Sequence, residues 1–177
     1  AGAQNLGIEF VSKLKPSFVI FFDQDSQISD NFICHLINKY EQLESENLNP
    51  GLVSPIMYND IYEYYYPIFN LDKSGVLNRK IPDINAAFIE SNIVASSGSL
   101  ISFKTLKHVG GMCEELFIDF VDTEFSLRLS SYGYNSYLVT DLVMNHTIGE
   151  SFIKFIKYKI SVHKPFRRYY VTRNCLI

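Results

Sequence analysis

The feature that most constrains the fold is an apolar run that ends abruptly in acidic residues. Residues 18–22 read Phe-Val-Ile-Phe-Phe, and residues 23–26, Asp-Gln-Asp-Ser, follow directly. A short run of β-branched and aromatic residues is typical of a strand covered on both faces, as in a parallel sheet. In open α/β sheets, ligands bind beyond the carboxyl ends of such strands. The pattern therefore predicts a binding site at residues 23–26.

The two acids of this motif, Asp23 and Asp25, are spaced so that they can act together. Side chains at positions i and i+2 of an extended segment project to the same side. Carboxylate oxygens suit hard divalent cations, which can also bind a phosphate. The same four residues are typical of Asx turns and helix N-caps. The residues by themselves leave a cation site and an ordinary turn both open.

Length and composition indicate a single globular domain over residues 1–177. A chain of 177 residues can bury a sizeable core, and a hydrophobic share of 47% is typical of a folded protein. The formal net charge of −3 argues against a nucleic-acid-binding surface. The three cysteines have neither disulfide nor zinc-site spacing, and we find no secretory signal pattern or membrane-spanning apolar run. We therefore expect a cytoplasmic protein without nucleic-acid partners.

Helical and extended patterns alternate around the first acidic motif. Leu6, Phe10 and Leu14 are spaced by four, which predicts a helix. A second helix is predicted after Asp30, which can cap it, and a strand over residues 52–57. This alternation indicates an α/β layer structure. Because such a domain normally opens on a strand, we expect that an N-terminal strand-helix region is missing from this chain.

Two segments in the middle of the chain each allow two interpretations. Residues 96–99, Ser-Ser-Gly-Ser, lie between apolar runs, so they predict either a tight turn or close approach of a ligand to backbone N–H groups. The tyrosine-rich residues 58–69 are typical of an aromatic hairpin, with a sugar-stacking surface as the alternative. Ser102 can cap a short helix that Gly110 ends.

A second acidic motif lies at the start of a predicted helix that begins at Asp122 and stops at Gly133. An acid in the first turn would lie beside partially positive N–H groups and could act as a general base. In the alternative interpretation, Asp122 merely caps the helix while Glu124 pairs with Arg128 at i,i+4. Both interpretations remain open from these residues.

Several motifs occur in an order that resembles a known enzyme family. They are Ala-Gln-Asn-x-Gly-Ile at 3–8, Asp-Gln-Asp-Ser at 23–26, Ser-Gly-Ser-Leu-Ile at 97–101, Phe-Ile-Asp-x-Val-Asp-Thr-Glu-Phe-x-Leu-Arg at 117–128, His146, and Arg-Tyr-Tyr-x-x-Arg-Asn at 168–174. Together they resemble family 2 glycosyltransferases, and within these the bacterial rhamnosyltransferases of surface polysaccharide synthesis. We expect that the strand and loop that hold the nucleotide base in that family are missing from this chain.

The resemblance implies both a fold and a reaction. The fold would be the GT-A type of the nucleotide-diphospho-sugar transferases, a Rossmann-like three-layer α/β/α arrangement with a mixed, mostly parallel sheet. The reaction would be an inverting, Mg²⁺- or Mn²⁺-dependent transfer of a sugar to a hydroxyl of a lipid-linked or growing surface glycan. The expected donor is dTDP-rhamnose, which carries L-rhamnose.

The resemblance also implies roles for individual residues. Asp25 would hold the cation that bridges the donor diphosphate, Asp23 would lie near the ribose or share the cation, and Asp122 would be the general base. The other implied positions are donor-binding Ser97, Gly98, Ser99 and Arg173, acceptor-side Glu124 and Arg128, and a further metal ligand, His146.

Residues 150–177 form a basic, aromatic segment. Such a composition suits an anionic membrane surface, which predicts peripheral contact with the inner face of the cytoplasmic membrane. The alternative is a helix packed on the domain with its charges in solvent.

Two other function classes remain. One is a non-catalytic module that binds nucleotide sugar or glycan on the same fold. The other is a metal-dependent phosphohydrolase, which the four scattered histidines fit poorly.

Overall fold

A mixed β-sheet with helices on both faces organises the chain. The computed structural model describes residues 1–24, 26–145, 151–155, 158–162 and 164–176, so the predicted metal ligands Asp25 and His146 lie outside the described residues. In chain order the elements are α1 (Gly2–Ser12), β1 (Phe18–Ile20), α2 (Phe32–Ser45), β2 (Pro50–Asn59), β3 (Tyr64–Tyr65), β4 (Ile68–Leu71), β5 (Leu77–Lys80), β6 (Phe88–Glu90), β7 (Leu100–Ser102), α3 (Phe103–Val109), a 3-10 turn (Glu114–Leu116), α4 (Val121–Ser131), β8 (Asn135–Asn145), β9 (Ser151–Phe155), β10 (Tyr158–Val162) and α5 (Pro165–Asn174).

The main sheet has the strand order β1-β7-β2-β8-β6, and β3 pairs with β2 outside this path. β1, β2 and β8 run in the same direction, but β7 runs oppositely between β1 and β2. Among the hydrogen-bonded strand pairs of the described chain, only β2 and β8 are parallel. The sheet is therefore mixed, as predicted. β1, β2 and β8 run in one direction, and β3, β6 and β7 run in the opposite direction.

The core lies on both faces of this sheet. Adjacent residues of β2 show the arrangement, because Leu52 packs in one apolar cluster and Val53 in the other. The cluster around Val53 includes Leu36 of α2, and the cluster around Leu52 includes Phe125 of α4. Successive side chains of a strand point to opposite faces, so helices cover the sheet on both sides. This confirms the predicted α/β/α layering.

β1 is shorter and less buried than the strand predicted over residues 18–22. It covers only Phe18–Ile20, and all three residues are half-buried. It lies at the edge of the sheet, where β7 is its one strand neighbour within the described ranges. The open side is a hydrogen-bonding edge and not a face of the sheet. Val19 packs against one apolar cluster, and Phe18 and Ile20 pack against the other. Both faces of β1 are therefore covered as predicted, although only in part.

Helix ends are predicted well only where the capping geometry is favourable. Ser102 caps α3 from an extended conformation, and its Oγ accepts a hydrogen bond of 3.0 Å from the Thr105 N–H, as predicted. The predicted cap at Asp30 is wrong. The N-cap of α2 is Asn31, whose φ of −93° and ψ of 0° lie outside the extended range, and its side chain makes no capping hydrogen bond.

The tyrosine-rich segment forms the predicted aromatic hairpin. β3 pairs with the end of β2, and the rings of Tyr58 and Tyr65 lie 4.9 Å apart between centroids on this pair. Cross-strand aromatic contacts of this kind stabilise a hairpin, so they account for Tyr58 and Tyr65. The sugar-stacking alternative stays a prediction.

The C-terminal segment contains the β9–β10 hairpin followed by α5. α5 packs against residues 115–119 through side-chain hydrogen bonds, which corresponds to the packed-helix interpretation. None of the helices in the described part of the chain is both long and apolar enough to cross a membrane.

We expect Gly98→Ala to destabilise the fold more than Gly75→Ala. Both glycines have positive φ, +77° and +83°, so alanine costs about 1–2 kcal/mol of backbone strain at either position. A Cβ at Gly98 would also lie 3.0 Å from Met144 Sδ and 3.0 Å from Pro55 Cγ, whereas one at Gly75 meets nothing within 4 Å. This overpacking adds about 1–3 kcal/mol, which urea denaturation of both variants measures. Equal losses of stability would contradict the crowding at Gly98.

Candidate active site

The site begins where the chain leaves β1 and meets the turn at residues 96–99. Phe21 forms a parallel bridge with Ser97. The Gly98 N–H donates to the Phe21 carbonyl oxygen at 2.7 Å, and the Phe21 N–H donates to the Ser99 carbonyl oxygen at 3.1 Å. These bonds join the two segments that the sequence places far apart.

The first acidic motif lies against this turn. The Asp23 N–H donates to Ser97 Oγ at 3.2 Å, and the hydroxyls of Ser26 and Ser97 are hydrogen-bonded at 3.2 Å. The Ser26 N–H also donates to the Asp23 carbonyl oxygen at 3.1 Å. The bond between Ser26 and Asp23 is the i,i+3 bond of a turn, and the Asp23 residue is exposed. The turn and the cation-site interpretations are compatible, because the turn's backbone bonds leave the Asp23 carboxylate open to solvent.

Asp122 lies in the first turn of α4, close to the same place. Burial raises the pKa of its carboxyl above the ordinary value, although hydrogen bonds from the Ser96 hydroxyl and backbone N–H act to lower it. The negative charge of Asp23 adds to the rise, so the two acidic motifs face one region. The N-cap of α4 is Phe120, so the alternative in which Asp122 merely caps the helix is wrong.

The segment before Asp122 has an unusual backbone. Phe117, Asp119 and Phe120 all have positive φ, between 59° and 63°, although none is glycine. Phe117, with ψ of −67°, is the centre of a tight turn in which the Ile118 N–H donates to the Leu116 carbonyl oxygen at 2.7 Å. Each such conformation costs on the order of 1–3 kcal/mol and clusters at functional sites in proteins. This strained path leads directly into the helix that carries the candidate base.

Comparison with known proteins shows what this chain is similar to in sequence. No family model matches it. Over all 177 residues the chain is 36% identical to the dTDP-rhamnosyl transferase RfbF of Shigella flexneri. In sequence, therefore, the chain is similar over its whole length to part of a rhamnosyltransferase. The similarity confirms the resemblance inferred from the motifs, and the chain spans 58% of the length of this relative.

The structure places the other predicted site residues in several different settings. Ser97 and Gly98 lie on the turn that receives the acidic motif. Ser99 is fully buried, and its hydroxyl is bonded to Ser54 Oγ at 2.5 Å and to the Ala95 carbonyl oxygen. Its side chain supports the turn from inside.

Glu124 and Arg128 form the predicted i,i+4 ion pair, with 2.7 Å between Arg128 Nε and Glu124 Oε1. The Arg128 guanidinium also donates to the carbonyl oxygens of Val109 at 2.8 Å and Gly111 at 2.7 Å. It therefore fastens α4 to the end of α3. The acceptor-side role implied for Glu124 and Arg128 stays a prediction.

Arg173, implied as a donor-phosphate ligand, lies on α5 in a different environment. Its guanidinium donates to the Glu115 carbonyl oxygen and to Asn174 Oδ1, and it stacks 4.8 Å from the centroid of the Tyr170 ring. All of these contacts are with α5 or with the segment that precedes α4.

Sequence reasoning missed three residues that shape the site. Ser96 lies in the predicted turn but was given no role of its own, and it is the serine that bonds to Asp122. Gln4 Nε2 donates to Ser96 Oγ at 3.3 Å, which gives the N-terminal motif a place in the site. Asp119 lies within the second acidic motif and forms an ion pair with Arg167. All three residues lie in or next to the sequence motifs, and this position was the available signal. Their partners are too distant in sequence to be deduced from residue spacing.

The described residues contain no group of three His, Cys, Asp or Glu side chains that could hold a metal. The exposed Asp23 carboxylate fits a hard cation by its donor chemistry. A cation near Asp23 would also offset the like-charge repulsion between Asp23 and Asp122.

The raised pKa of Asp122 predicts that Asp122→Asn stabilises the fold at neutral pH. Between the unfolded value of about 3.9 and the higher folded value, the folded state binds more protons, so stability falls as pH rises. The Asp122→Asn variant has no carboxyl at this position and does not lose this stability. Its larger free energy of unfolding, relative to the parent protein, should disappear once the pH falls below about 3.9. Thermal unfolding of both proteins across this range measures the difference. An advantage that does not change with pH would contradict the assignment.

Proposed function

We propose that the protein is an inverting, metal-dependent glycosyltransferase of the GT-A type that transfers L-rhamnose from dTDP-rhamnose. The acceptor would be a hydroxyl of a lipid-linked or growing surface glycan. The observation that carries the proposal is the convergence of Asp122, Ser96 and Asp23 at the turn beside the end of β1. The mixed sheet with helices on both faces and the similarity to a dTDP-rhamnosyl transferase support it.

Asp122 is suited to act as the general base. Its carboxyl pKa is raised by burial, which makes its carboxylate a stronger base than an exposed one. It would take the proton from the acceptor hydroxyl while that oxygen bonds to the anomeric carbon of the sugar. The bond from that carbon to the nucleoside diphosphate breaks on the opposite face, so no covalent enzyme intermediate forms. General-base catalysis of this kind contributes about 10²- to 10⁴-fold.

Ser96 would orient this base. Its hydroxyl and backbone N–H bond to the Asp122 carboxylate, and its hydroxyl in turn accepts from Gln4 Nε2. A carboxylate held by two donors has fewer orientations available. The remaining lone pairs can then face the acceptor hydroxyl.

Asp25 and Asp23 would hold Mg²⁺ or Mn²⁺, with His146 as a further ligand. When bound, the cation would neutralise the charge that develops on the leaving diphosphate. Carboxylate oxygens suit both cations. Ser97 and Gly98 would line the donor side of the site from the neighbouring turn.

We also propose that the protein works in the cytoplasm and contacts the membrane peripherally through α5. Phe166 and Tyr169 are both 61% exposed and Leu176 is 85% exposed on this helix and the residues after it. Arg168, also exposed, lies among them. Exposed aromatic and basic residues together suit an anionic bilayer surface, where a lipid-linked acceptor would be found.

The turnover of the Asp122→Asn variant tests whether Asp122 is the general base. The assay uses a longer form of the protein that matches the full length of RfbF. Asparagine cannot accept the proton, so we expect turnover with dTDP-rhamnose to fall by at least about 10²-fold while donor affinity is retained. Product mass identifies the transferred sugar against a panel of nucleotide sugars. Asp60→Asn, at an exposed acid, is the matched control and should keep parental turnover. Binding of donor without any transfer by the parent protein would support the non-catalytic module instead.

A second experiment tests the metal assignment. Asp25→Ala should abolish the part of the transfer that Mg²⁺ or Mn²⁺ restores after chelation, because the variant lacks one of the ligands. Circular dichroism checks that the variant is folded. Transfer near the parental rate, with the same metal response, would remove Asp25 from the metal site.

A further inference from the structure

The strained segment before the candidate base is held from outside by α5. Residues 116–120 carry the positive-φ positions and end one residue before α4 begins. Asp122 is the second residue of α4, so the path of this segment sets the position from which its carboxylate projects. A backbone in sparsely populated conformations persists only when its surroundings hold it there.

Asn174, at the end of α5, makes the first of two attachments. The residue is 6% exposed, and its Nδ2 donates to the carbonyl oxygens of Leu116 at 2.8 Å, Ile118 at 2.9 Å and Asp119 at 2.9 Å. Three carbonyl groups within four residues can reach one amide nitrogen only if the backbone curls around it. The unusual dihedral angles of this segment provide that curl.

Arg167, two helical turns earlier on α5, makes the second attachment. Its guanidinium lies against the Asp119 carboxylate, with Nε 3.0 Å from both oxygens and Nη2 2.9 Å from Oδ1. Such paired, charge-assisted contacts fix direction as well as distance. The Asp119 side chain is 14% exposed and the Arg167 side chain 40% exposed, so solvent screens this pair less than a pair in which both side chains are fully exposed.

Phe117 lies between these two attachments. Its ring is 5.0 Å from that of Tyr170 and 6.2 Å from that of Phe166. Arg167, Tyr170 and Asn174 are spaced by three and four, which places them on one face of α5. One face of α5 therefore contacts residues 116–120 at three points.

We propose that α5 is a clasp that positions Asp122, with Asn174 and Arg167 as positioning residues. They do not touch the reacting atoms but hold residues 116–120 in the one path that presents the carboxylate beside Ser96. This gives the Arg-Tyr-Tyr-x-x-Arg-Asn motif a role that does not involve donor phosphates. The inference rests on the proposed function of Asp122, and the experiments below separate its failure from the failure of that function.

Asn174→Ala is the main test, again in a protein of the relative's length. Loss of the three hydrogen bonds should let the segment relax and misplace Asp122, which we expect to lower kcat by roughly 10- to 100-fold. Donor affinity should not change, because the donor side of the site lies at residues 23–26 and 96–99. Thr172→Ala, at an exposed residue of the same helix, is the matched control and should keep parental kcat.

Amide hydrogen exchange at residues 116–122 provides a readout that does not need catalysis. We expect exchange there to become faster in Asn174→Ala and to stay at the parental rate in Thr172→Ala. If the parent protein transfers no sugar, the proposed function fails, while exchange still reports whether α5 holds the segment. If Asn174→Ala does not fold, Arg167→Lys replaces it, since lysine keeps the charge but loses the paired contact.

A double-mutant cycle tests whether Arg167 acts through Asp119. Because one ion pair joins them, Arg167→Gln and Asp119→Asn combined should lower kcat no further than either variant alone. Additive losses would overturn the shared role. Unchanged exchange at residues 116–122 in Asn174→Ala, or reduced donor affinity with parental kcat, would overturn the clasp.

Discussion

The hydrogen bond from the Gly98 N–H to the Phe21 carbonyl oxygen is the contact on which the candidate site depends. It joins the end of β1 to a turn that also lies against β2 and β8, where Pro55 and Met144 leave no space for a Cβ. Only a residue that tolerates positive φ and lacks a side chain fits there. Because Asp23 binds this turn through Ser97 and Asp122 binds it through Ser96, both acids take their positions from one tightly packed corner.

Electrostatics connects this corner to the proposed chemistry. Two carboxylates that face one region repel each other, and burial makes the charged form of Asp122 costly. The first effect favours a cation beside Asp23, and the second strengthens Asp122 as a base. The same arrangement that reduces stability at neutral pH would therefore serve metal binding and proton transfer.

The strained backbone before α4 also depends on contacts with a distant part of the chain. Three non-glycine residues in left-handed conformations precede α4, and an isolated segment of this sequence would have no reason to adopt them. Contacts with α5 offset the conformational cost of these residues, through hydrogen bonds that span more than fifty residues of sequence. In the proposed arrangement, the placement of Asp122 would depend on two chain segments acting together.

The sequence by itself determined the features that depend on near neighbours. The layered α/β class, the Ser102 cap, the Glu124–Arg128 pair and the extent of α4 all follow from spacing within a few residues. The acidic motifs were recognisable for the same reason, because their residues are adjacent in the chain. The Asp30 cap failed because α2 begins at Phe32 and Asn31 is its N-cap, one residue after the position that the sequence pattern indicates.

Only the tertiary structure decided which distant residues meet. It placed β1 at the edge of the sheet, brought Ser96 to Asp122, and assigned Arg167 and Asn174 to the segment before α4. These contacts depend on how the sheet and helices pack as a whole, and no local pattern encodes the distance between segments that only packing brings together.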